Sequence, residues 1–342
     1  MKICPVFGQC GGCTYQDKSY REELRLKEKH LKDVLNGSVF LKDDLFAPIV
    51  ASPKVYHYRH RLDLKLVKTK EQKVFMGFSP KKGYPYGVVE VEDCPIAMKP
   101  VSRSLKKIRP EAIAAMGTRY RRANLVVRTG DKKRVDWGGI GRGSLKRSPE
   151  AYLWSKVVGR KIFYSMDTFF QANLSILPKL VKYLRRLPLW GREVCLYDLY
   201  GGVGLFSVAL AEKVGRVVLV EENKAAVRCA AWNKEYNKLK NMDLHAGRLE
   251  DLWPKMASGR FKRHVAIIDP PRDGLTAEAA GMLSGTDRFS DILYLSCYPE
   301  ALARDLKVFK TKAWKVQSIQ PFDFFPRTRH VETLVWLTKE SA

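Results

Sequence analysis

The chain has 342 residues, 45% of them hydrophobic, and its 62 Lys and Arg outnumber its 36 Asp and Glu to give a formal net charge of +26. That composition excludes a disordered chain, and the length predicts two domains. The sequence has no run of about 18 apolar residues, which excludes a transmembrane helix, and we expect no secretory leader. Its seven cysteines are an odd number, which argues against a disulfide scaffold and predicts a cytoplasmic location.

The basic residues are distributed unevenly along the chain. Residues 51–200 carry +20 of the net +26, whereas residues 201–300 are nearly neutral. Aromatic residues alternate with cations in residues 54–61 (KVYHYRHR) and 119–122 (RYRR). Cations suit phosphates and aromatic rings suit unpaired bases, so this half is predicted to bind a nucleic acid. A generically basic surface is the alternative.

The predicted elements define three segments. The first, residues 1–44, has a cysteine-rich start and a helix that a capping box opens at Ser19 and Asn36 closes. Residues 45–160 contain short alternating stretches punctuated by Gly and Pro, which predict a basic antiparallel β-rich domain with one helix. Residues 161–342 alternate strands with helices, which predicts an α/β domain with a parallel sheet covered on both faces.

In this third segment, four strands are predicted near 194–200, 217–221, 265–269 and 292–296. Two further strands, near 314–320 and 332–337, are joined by a loop containing Pro326 and are predicted to form an antiparallel hairpin on the sheet. Ligands of such sheets bind at the carboxyl ends of the strands.

Residues 198–207 (DLYGGVGLFS) follow the first of these strands and open a helix. Glycines here let the backbone approach a ligand closely, but Ser207 replaces the third glycine of a dinucleotide fingerprint, which counts against a pyrophosphate. Glu221 ends the next strand and can accept both ribose hydroxyls of an adenosine ligand. Asp198 and Glu221 together resemble the first two motifs of S-adenosylmethionine-dependent methyltransferases, with NAD as the alternative ligand.

Cys297 stands just before Pro299, the predicted first residue of a helix. The positive end of that helix and Arg272 are expected to favour the thiolate, which makes Cys297 a candidate nucleophile. Cys195 and Cys229 lie inside predicted elements and are interpreted as inert core residues. Glu332 begins the final strand; taken alone, it is interpreted as a solvated or ion-paired carboxylate.

Four motifs occur in a fixed order: residues 198–207 (DLYGGVGLFS), 267–275 (IIDPPRDGL), 294–306 (YLSCYPEALARDL) and 325–337 (FPRTRHVETLVWL). This set resembles the RNA uracil-C5 (m5U) methyltransferase family. Segments 4–13, 57–61 and 77–94 resemble the N-terminal half of the family. The related cytosine-C5 enzymes carry a second Cys after Asp-x-Pro, where this chain has Arg272, and this difference favours uracil.

The resemblance implies a Rossmann-like class I methyltransferase domain, with S-adenosylmethionine as the methyl donor. It assigns Cys297 to attack uracil C6 and Glu332 to remove the C5 proton after C5 has taken the methyl group. The target base is expected to be extruded from its stack. Residue by residue, the resemblance implies donor contacts at Gln171, Tyr200, Gly202, Gly204, Glu221 and Asp269.

Cys4, Cys10 and Cys13, with Cys94 far downstream, form a second strong pattern. Three clustered thiols with a distant fourth suit tetrahedral zinc or a cubane cluster, and spacing alone leaves both open. Similarity to the iron–sulfur members of the family implies a [4Fe–4S] cluster with a structural or RNA-orienting role.

Many relatives open with a TRAM module, and we expect none here, because the cysteine motif stands at residues 4–13. This short form looks most like enzymes that modify 23S rRNA, and tRNA is the alternative substrate. Two rival classes are a non-catalytic RNA-binding protein that retains the fold and an NAD-type oxidoreductase with a zinc-binding N-terminus. We expect RNA as the partner, no membrane association and no obligate protein partner.

Overall fold

The computed structural model describes residues 4–39, 41–83, 85–116, 121–131, 134–139, 145, 152–256 and 261–339. The helices of this part of the chain are α1 Tyr20–Val39, α2 Lys99–Ala115, α3 Leu177–Arg186, α4 Leu205–Leu210, α5 Lys224–Tyr236, α6 Leu249–Leu252, α7 Ala277–Gly285 and α8 Pro299–Lys310. The strands are β1 Arg61–Lys68, β2 Val74–Phe78, β3 Val89–Glu90, β4 Arg122–Thr129, β5 Val135–Gly138, β6 Leu153–Val157, β7 Arg160–Tyr164, β8 Val194–Leu199, β9 Arg216–Glu221, β10 Met242–Ala246, β11 Arg263–Ile268, β12 Asp291–Ser296, β13 Trp314–Phe322 and β14 Glu332–Lys339. Among the described residues, no helix is long and apolar enough to cross a membrane.

The larger sheet has seven strands in the order β10-β9-β8-β11-β12-β14-β13. The first five are mutually parallel, and β14 runs antiparallel to both β12 and β13. The strand order reverses between β8 and β11, and ligands of open α/β sheets bind at such a switch point. The predicted α/β fold, with a parallel sheet and an antiparallel C-terminal hairpin, is confirmed.

Strand β8 shows why this sheet forms. Every residue of β8 is buried, as expected for a central strand covered on both faces. Leu196 packs into one apolar core, which includes side chains of α3 and α4, whereas Tyr197 packs into a second core on the opposite face. Helix α1 joins this second core through Leu31 and Leu35.

The smaller sheet is antiparallel, in the order β3-β2-β1-β4-β5. Leu62, Leu64 and Leu66 alternate inward along β1 and pack with α2 in a separate core. A basic β-rich region with one helix is thus present as predicted. The hairpin β6–β7 stands apart from this sheet, and its Leu153 and Ile162 pack into the core of the larger one.

Candidate active site

The loop after β8 turns sharply before α4. Tyr200, Gly202 and Gly204 have positive φ angles of 60°, 55° and 81°. A Cβ atom on Gly201 would lie 2.7 Å from Leu219 Cγ, so a larger residue there would force the Leu219 side chain to shift. The tight turn brings main-chain N–H groups to the carboxyl edge of the sheet, as the sequence predicts.

Two carboxylates organise this loop. Asp198 is fully buried and accepts hydrogen bonds from the main-chain N–H of Ser207 at 2.9 Å and from its Oγ at 2.6 Å. Burial raises the pKa of Asp198 to about 7, although these two hydrogen bonds act to lower it. Glu221 accepts hydrogen bonds from the main-chain N–H groups of Gly202 at 2.9 Å and Asn223 at 2.7 Å. Ser207, at the position of a fingerprint glycine, therefore holds Asp198 in place.

Gln171 and Asp269 meet beside the loop. Gln171 Nε2 donates to Asp269 Oδ2 at 3.4 Å. Burial, followed by the nearby charge of Asp198, raises the pKa of Asp269. Within the described residues, Gln171 Oε1 and Asp198 Oδ1 are buried without a hydrogen-bond partner. Buried acceptors are normally paired, so these oxygens are suited to a polar ligand.

One pair of strands determines the positions of Cys297 and Glu332. In the antiparallel pair β12–β14, Ser296 lies opposite Thr333. Cys297 is the next residue after Ser296 and Glu332 is the one before Thr333, so both lie at the same edge of the sheet. Glu332 is 3% exposed, whereas the Cys297 thiol is free and partly exposed. A candidate nucleophile and a candidate base are thereby brought together.

The same neighbours, Asp269 and Arg272, shift the pKa values of both residues. Burial raises the pKa of Cys297 to about 12; Glu332 and Asp269 add to the increase, while Arg272 opposes it. Burial also raises the pKa of Glu332 far above its usual value, with Asp269 adding and Arg272 opposing. The expectation that Cys297 is a thiolate is therefore wrong for the free protein. Arg272 acts in the predicted direction, but desolvation beside acidic side chains outweighs it.

The loop between β13 and β14, which leads into Glu332, is held by helix α1. Lys27 is fully buried and forms ion pairs with Glu23 at 2.8 Å and Asp323 at 2.7 Å. The main-chain N–H of Arg327 donates to Glu23 Oε1 at 2.6 Å. These contacts connect the N-terminal segment to the candidate base.

The four cysteines of the N-terminal pattern line a single cavity of about 420 Å³, together with Arg59 and Arg272: Cys4, Cys10, Cys13 and Cys94. Burial raises the pKa of Cys13 to about 11 and that of Cys94 to about 12. The main-chain N–H of Gly12 lies 3.4 Å from Cys10 Sγ. In the described ranges, no three His, Cys, Asp or Glu side chains are grouped closely enough to bind a single metal ion. The four cysteines thus share one cavity, but their described side chains do not have the geometry of a site for a single metal ion.

Two buried residues behind Gln171 were missed by sequence reasoning. His60 Nε2 lies 3.1 Å from the main-chain oxygen of Gln171. The Arg128 guanidinium lies 4.2 Å from the centre of the Tyr164 ring and donates to two main-chain oxygens of the turn at 165–168. The aromatic–cation run at 54–61 marked His60 for RNA contact and not for this structural role. Arg128 carries no sequence signal, because a cation in a strand is ordinarily exposed.

The β-rich domain presents cations and aromatic rings at its surface. Arg121 and Arg122 are exposed, whereas residues 119 and 120 of the same predicted cation run lie outside the described residues. Tyr86 is exposed and stacks on Phe75, with 5.0 Å between ring centres. This surface has the composition expected for RNA binding.

The strand order, the tight loop at the switch point and the carboxylates around it define a Rossmann-like class I methyltransferase. Comparison with known proteins agrees: the family model described as tRNA (Uracil-5-)-methyltransferase matches residues 151–340. The chain therefore belongs to the tRNA (uracil-5-)-methyltransferase family. It is an RNA methyltransferase that uses S-adenosylmethionine, which excludes the NAD-type oxidoreductase.

Several relatives match nearly the whole chain. An uncharacterized RNA methyltransferase of Thermotoga maritima is 31% identical, over 98% of this chain and 84% of that protein. The tRNA (uracil(54)-C(5))-methyltransferase of Schizosaccharomyces pombe is 30% identical, over 98% of this chain and 65% of that protein. The 23S rRNA (uracil(1939)-C(5))-methyltransferase RlmD of Legionella pneumophila is 27% identical, over 98% of this chain and 83% of that protein.

Among solved structures, the chain is similar in fold to the tRNA (uracil-54, C5)-methyltransferase of Pyrococcus abyssi in complex with S-adenosyl-L-homocysteine. The TM-score is 0.72 at 24% sequence identity, and the match covers 96% of this chain and 86% of that chain. The fold class predicted from sequence is therefore confirmed over nearly the full length.

Proposed function

We propose that this chain forms 5-methyluridine in RNA, with Cys297 as the nucleophile and Glu332 as the base. The observation that carries the proposal is the β12–β14 pairing, in which Ser296 lies opposite Thr333. That register puts a thiol and a carboxyl group at the same edge of the sheet as the loop after β8.

Uracil C5 is a poor nucleophile, and the proposed steps overcome this. The Cys297 sulfur adds to C6, and the electron pair of the C5–C6 double bond moves into an enolate that makes C5 nucleophilic. C5 then bonds to the methyl group, and S-adenosylhomocysteine leaves. Glu332 takes the proton from C5, the C5–C6 double bond reforms, and the Cys297 thiolate is expelled. One proton is released per methyl group transferred.

The raised pKa of Glu332 supports its proposed role. Once it is ionised, a carboxylate with a raised pKa binds a proton more strongly, and burial is the main cause of the increase here. The raised pKa of Cys297 means that its proton must leave before attack. Arg272 is the neighbouring group that favours the thiolate, and we propose that it does so when the pocket is filled.

We propose that the methyl donor lies at the carboxyl edge of the larger sheet, against the loop after β8. The proposed contact residues are Gln171, Tyr200, Gly202, Gly204, Glu221 and Asp269. The unpaired oxygen Gln171 Oε1 supports this placement, because a buried acceptor without a partner is costly unless a ligand supplies a donor. Glu221 is already oriented towards the loop by the N–H of Gly202.

We propose 23S rRNA as the substrate, with tRNA as the alternative. Relatives of comparable identity are named for each substrate, so a direct experiment is needed. The purified protein is incubated with S-adenosylmethionine and either transcript, each carrying tritium at uridine C5. Release of tritium with 5-methyluridine formed in the rRNA supports the proposal, and release only from tRNA selects the alternative. RNA binding without tritium release from either transcript would support a non-catalytic RNA-binding protein.

We propose that the four-cysteine cavity holds a [4Fe–4S] cluster. Four cysteines that line one cavity support this assignment, because a cubane cluster is held by four thiolates. Bound iron would stabilise thiolates whose pKa values burial raises. Anaerobic purification followed by iron and sulfide assay tests this assignment. Stoichiometric zinc without visible absorption would overturn it.

A further inference from the structure

A group of exposed aromatic rings lies on the hairpin β6–β7 and on helix α5. The aromatic patch consists of Tyr152, Trp154, Phe163, Lys161, Trp232 and Tyr236. Tyr152 is 45% exposed, and Trp232 and Tyr236 are each 52% exposed. Contiguous exposed rings of this kind mark interaction sites.

The rings form an ordered platform. Tyr152 stacks on Trp232 with 5.9 Å between ring centres and an interplanar angle of 18°. Phe163 meets the Trp232 ring edge-on at 5.8 Å and the Tyr236 ring at 5.0 Å. A base can therefore extend an existing stack without reordering the side chains.

The aromatic patch is connected to the loop after β8 through the buried side-chain amide of Asn233. Asn233 Oδ1 accepts from the main-chain N–H of Phe163 at 2.7 Å, and Asn233 Nδ2 donates to the main-chain oxygens of Phe163 and Val203, both at 2.9 Å. Val203 belongs to the loop after β8, so the aromatic patch lies on the side of the domain that carries this loop. Asn233 therefore links the main chain of the patch to the main chain of this loop.

The charge around the patch is positive. Lys161 Nζ lies 4.2 Å from the ring centre of Trp154 and 5.0 Å from that of Tyr236. Residues 152–164 contain three basic and no acidic residues, and residues 224–236 contain three basic and one acidic residue. Arg228, Trp232 and Tyr236 are exposed at four-residue spacing, which aligns them on one face of α5. Rings flanked by cations suit a polyanion that also offers flat bases.

We propose that the aromatic patch binds unpaired bases of the RNA substrate, outside the site of methylation. Stacking on aromatic side chains and contact with cations is how proteins bind single-stranded nucleic acid. A second copy of this chain is a poorer occupant, because a symmetric contact would bring two positively charged patches together. The proposal extends the RNA-binding surface from the smaller sheet to the hairpin β6–β7 and helix α5.

The test measures binding of a fluorescein-labelled oligouridine of about 12 nucleotides by anisotropy, without methyl donor. Trp232→Ala and Tyr236→Ala are each expected to weaken binding about tenfold, since a stacked base contributes about 1–3 kcal/mol. Trp232→Phe keeps a ring face and is expected to stay within about threefold of wild type. Lys182→Ala removes an exposed cation on α3 and serves as the charge control.

A blunt RNA duplex distinguishes stacking from general attraction, because its bases are already stacked. Its affinity is expected to be the same for wild type and Trp232→Ala. Unchanged oligouridine binding by both alanine variants, or equal losses for duplex and oligouridine, would overturn the proposal. A wild-type dimer that Trp232→Ala dissociates would assign the patch to self-association instead. The proposal relies on RNA being the substrate, but no methylation is measured, so its failure is distinguishable from failure of the proposed reaction.

Discussion

At the residue scale, the raised pKa of Cys297 has a measurable consequence in the free protein. Because burial raises this pKa to about 12, the thiolate is scarce at neutral pH and its fraction grows as the pH rises. We expect alkylation of Cys297 by iodoacetamide to accelerate about tenfold per pH unit between about pH 7 and 10. Peptide mass spectrometry separates Cys297 from the other six cysteines. A plateau near neutral pH would contradict the raised pKa.

A matched pair of variants tests the causes of that shift. Above the pKa of Glu332, Glu332→Gln removes a negative charge beside the thiol, so alkylation is expected to be faster than in wild type. Arg272→Gln removes the favourable positive charge, so alkylation is expected to be slower. Effects of the same sign would show that the charges of Glu332 and Arg272 do not control the thiol.

Glu332→Gln also tests the proposed base directly. Glutamine cannot take the C5 proton, so methylation of C5 is expected to proceed while release of the enzyme stalls. The multiple-turnover rate should fall by about 10²-fold or more, and a protein–RNA conjugate should accumulate on denaturing gels. Glu278→Gln, an exposed carboxyl group on α7, is the matched control. Normal turnover in Glu332→Gln would assign the base to another residue.

The sequence allowed Cys297 and Glu332 to be selected because their motifs are specific. It did not predict the ionisation of Cys297, because helix ends are visible in a sequence whereas desolvation is a property of the packed pocket. The structural role of His60 was equally invisible in the sequence: burial lowers its pKa to about 3, so it is neutral within a run that the sequence assigned to RNA contact. Sequence motifs thus identify the residues that carry out the chemistry, whereas burial in the folded protein determines whether their side chains are charged.

At the element scale, helix α1 attaches to the loop before β14 through buried charges. Lys27→Met leaves Glu23 and Asp323 without the cation that pairs with both. Removal of one partner from a buried ion pair costs about 3–5 kcal/mol, so the free energy of unfolding in urea should fall by that amount. Lys29→Met breaks an exposed pair with Asp33 on the same helix and should cost less than about 1 kcal/mol. Equal losses in the two variants would contradict this account.

Elements with continuous apolar runs were the easiest to predict. Strands β8, β9, β11 and β12 lie within two residues of their predicted bounds, because central parallel strands are buried on both faces. Strand β10, Met242–Ala246, was missed because it is an edge strand with polar residues. Helix α1 extends to Val39, past the predicted end at Asn36, because burial of Val39 outweighs the helix-breaking tendency of Gly37.

At the scale of the whole molecule, the excess positive charge makes RNA binding sensitive to salt. Arg121→Ala combined with Arg122→Ala should lower the slope of log affinity against log salt concentration by about 1–2 units. Filter binding at several salt concentrations measures this slope. Affinity for S-adenosylmethionine, measured by calorimetry, should not change. An unaltered slope would mean that these arginines do not contact phosphates.

The overall arrangement was only partly predictable. The grouping of Cys94 with the N-terminal cysteines was predicted from the cysteine pattern, and the cavity they share agrees with it. The attachment of the N-terminal segment to the loop before Glu332 was not predictable, because it depends on contacts between residues about 300 positions apart, such as Lys27 and Asp323. Long-range polar contacts leave no periodic signal in a sequence.

The most direct test of the proposed chemistry is covalent trapping with RNA that contains 5-fluorouridine. Fluorine at C5 cannot be removed as a proton, so once the sulfur has bonded to C6 and the methyl group has been transferred, the enzyme cannot be released. We predict a stable adduct in the presence of S-adenosylmethionine that maps to Cys297, is absent in Cys297→Ala and persists in Cys195→Ala. No adduct with the wild type on RNA that it methylates, or an undiminished adduct in Cys297→Ala, would contradict the assignment of the nucleophile.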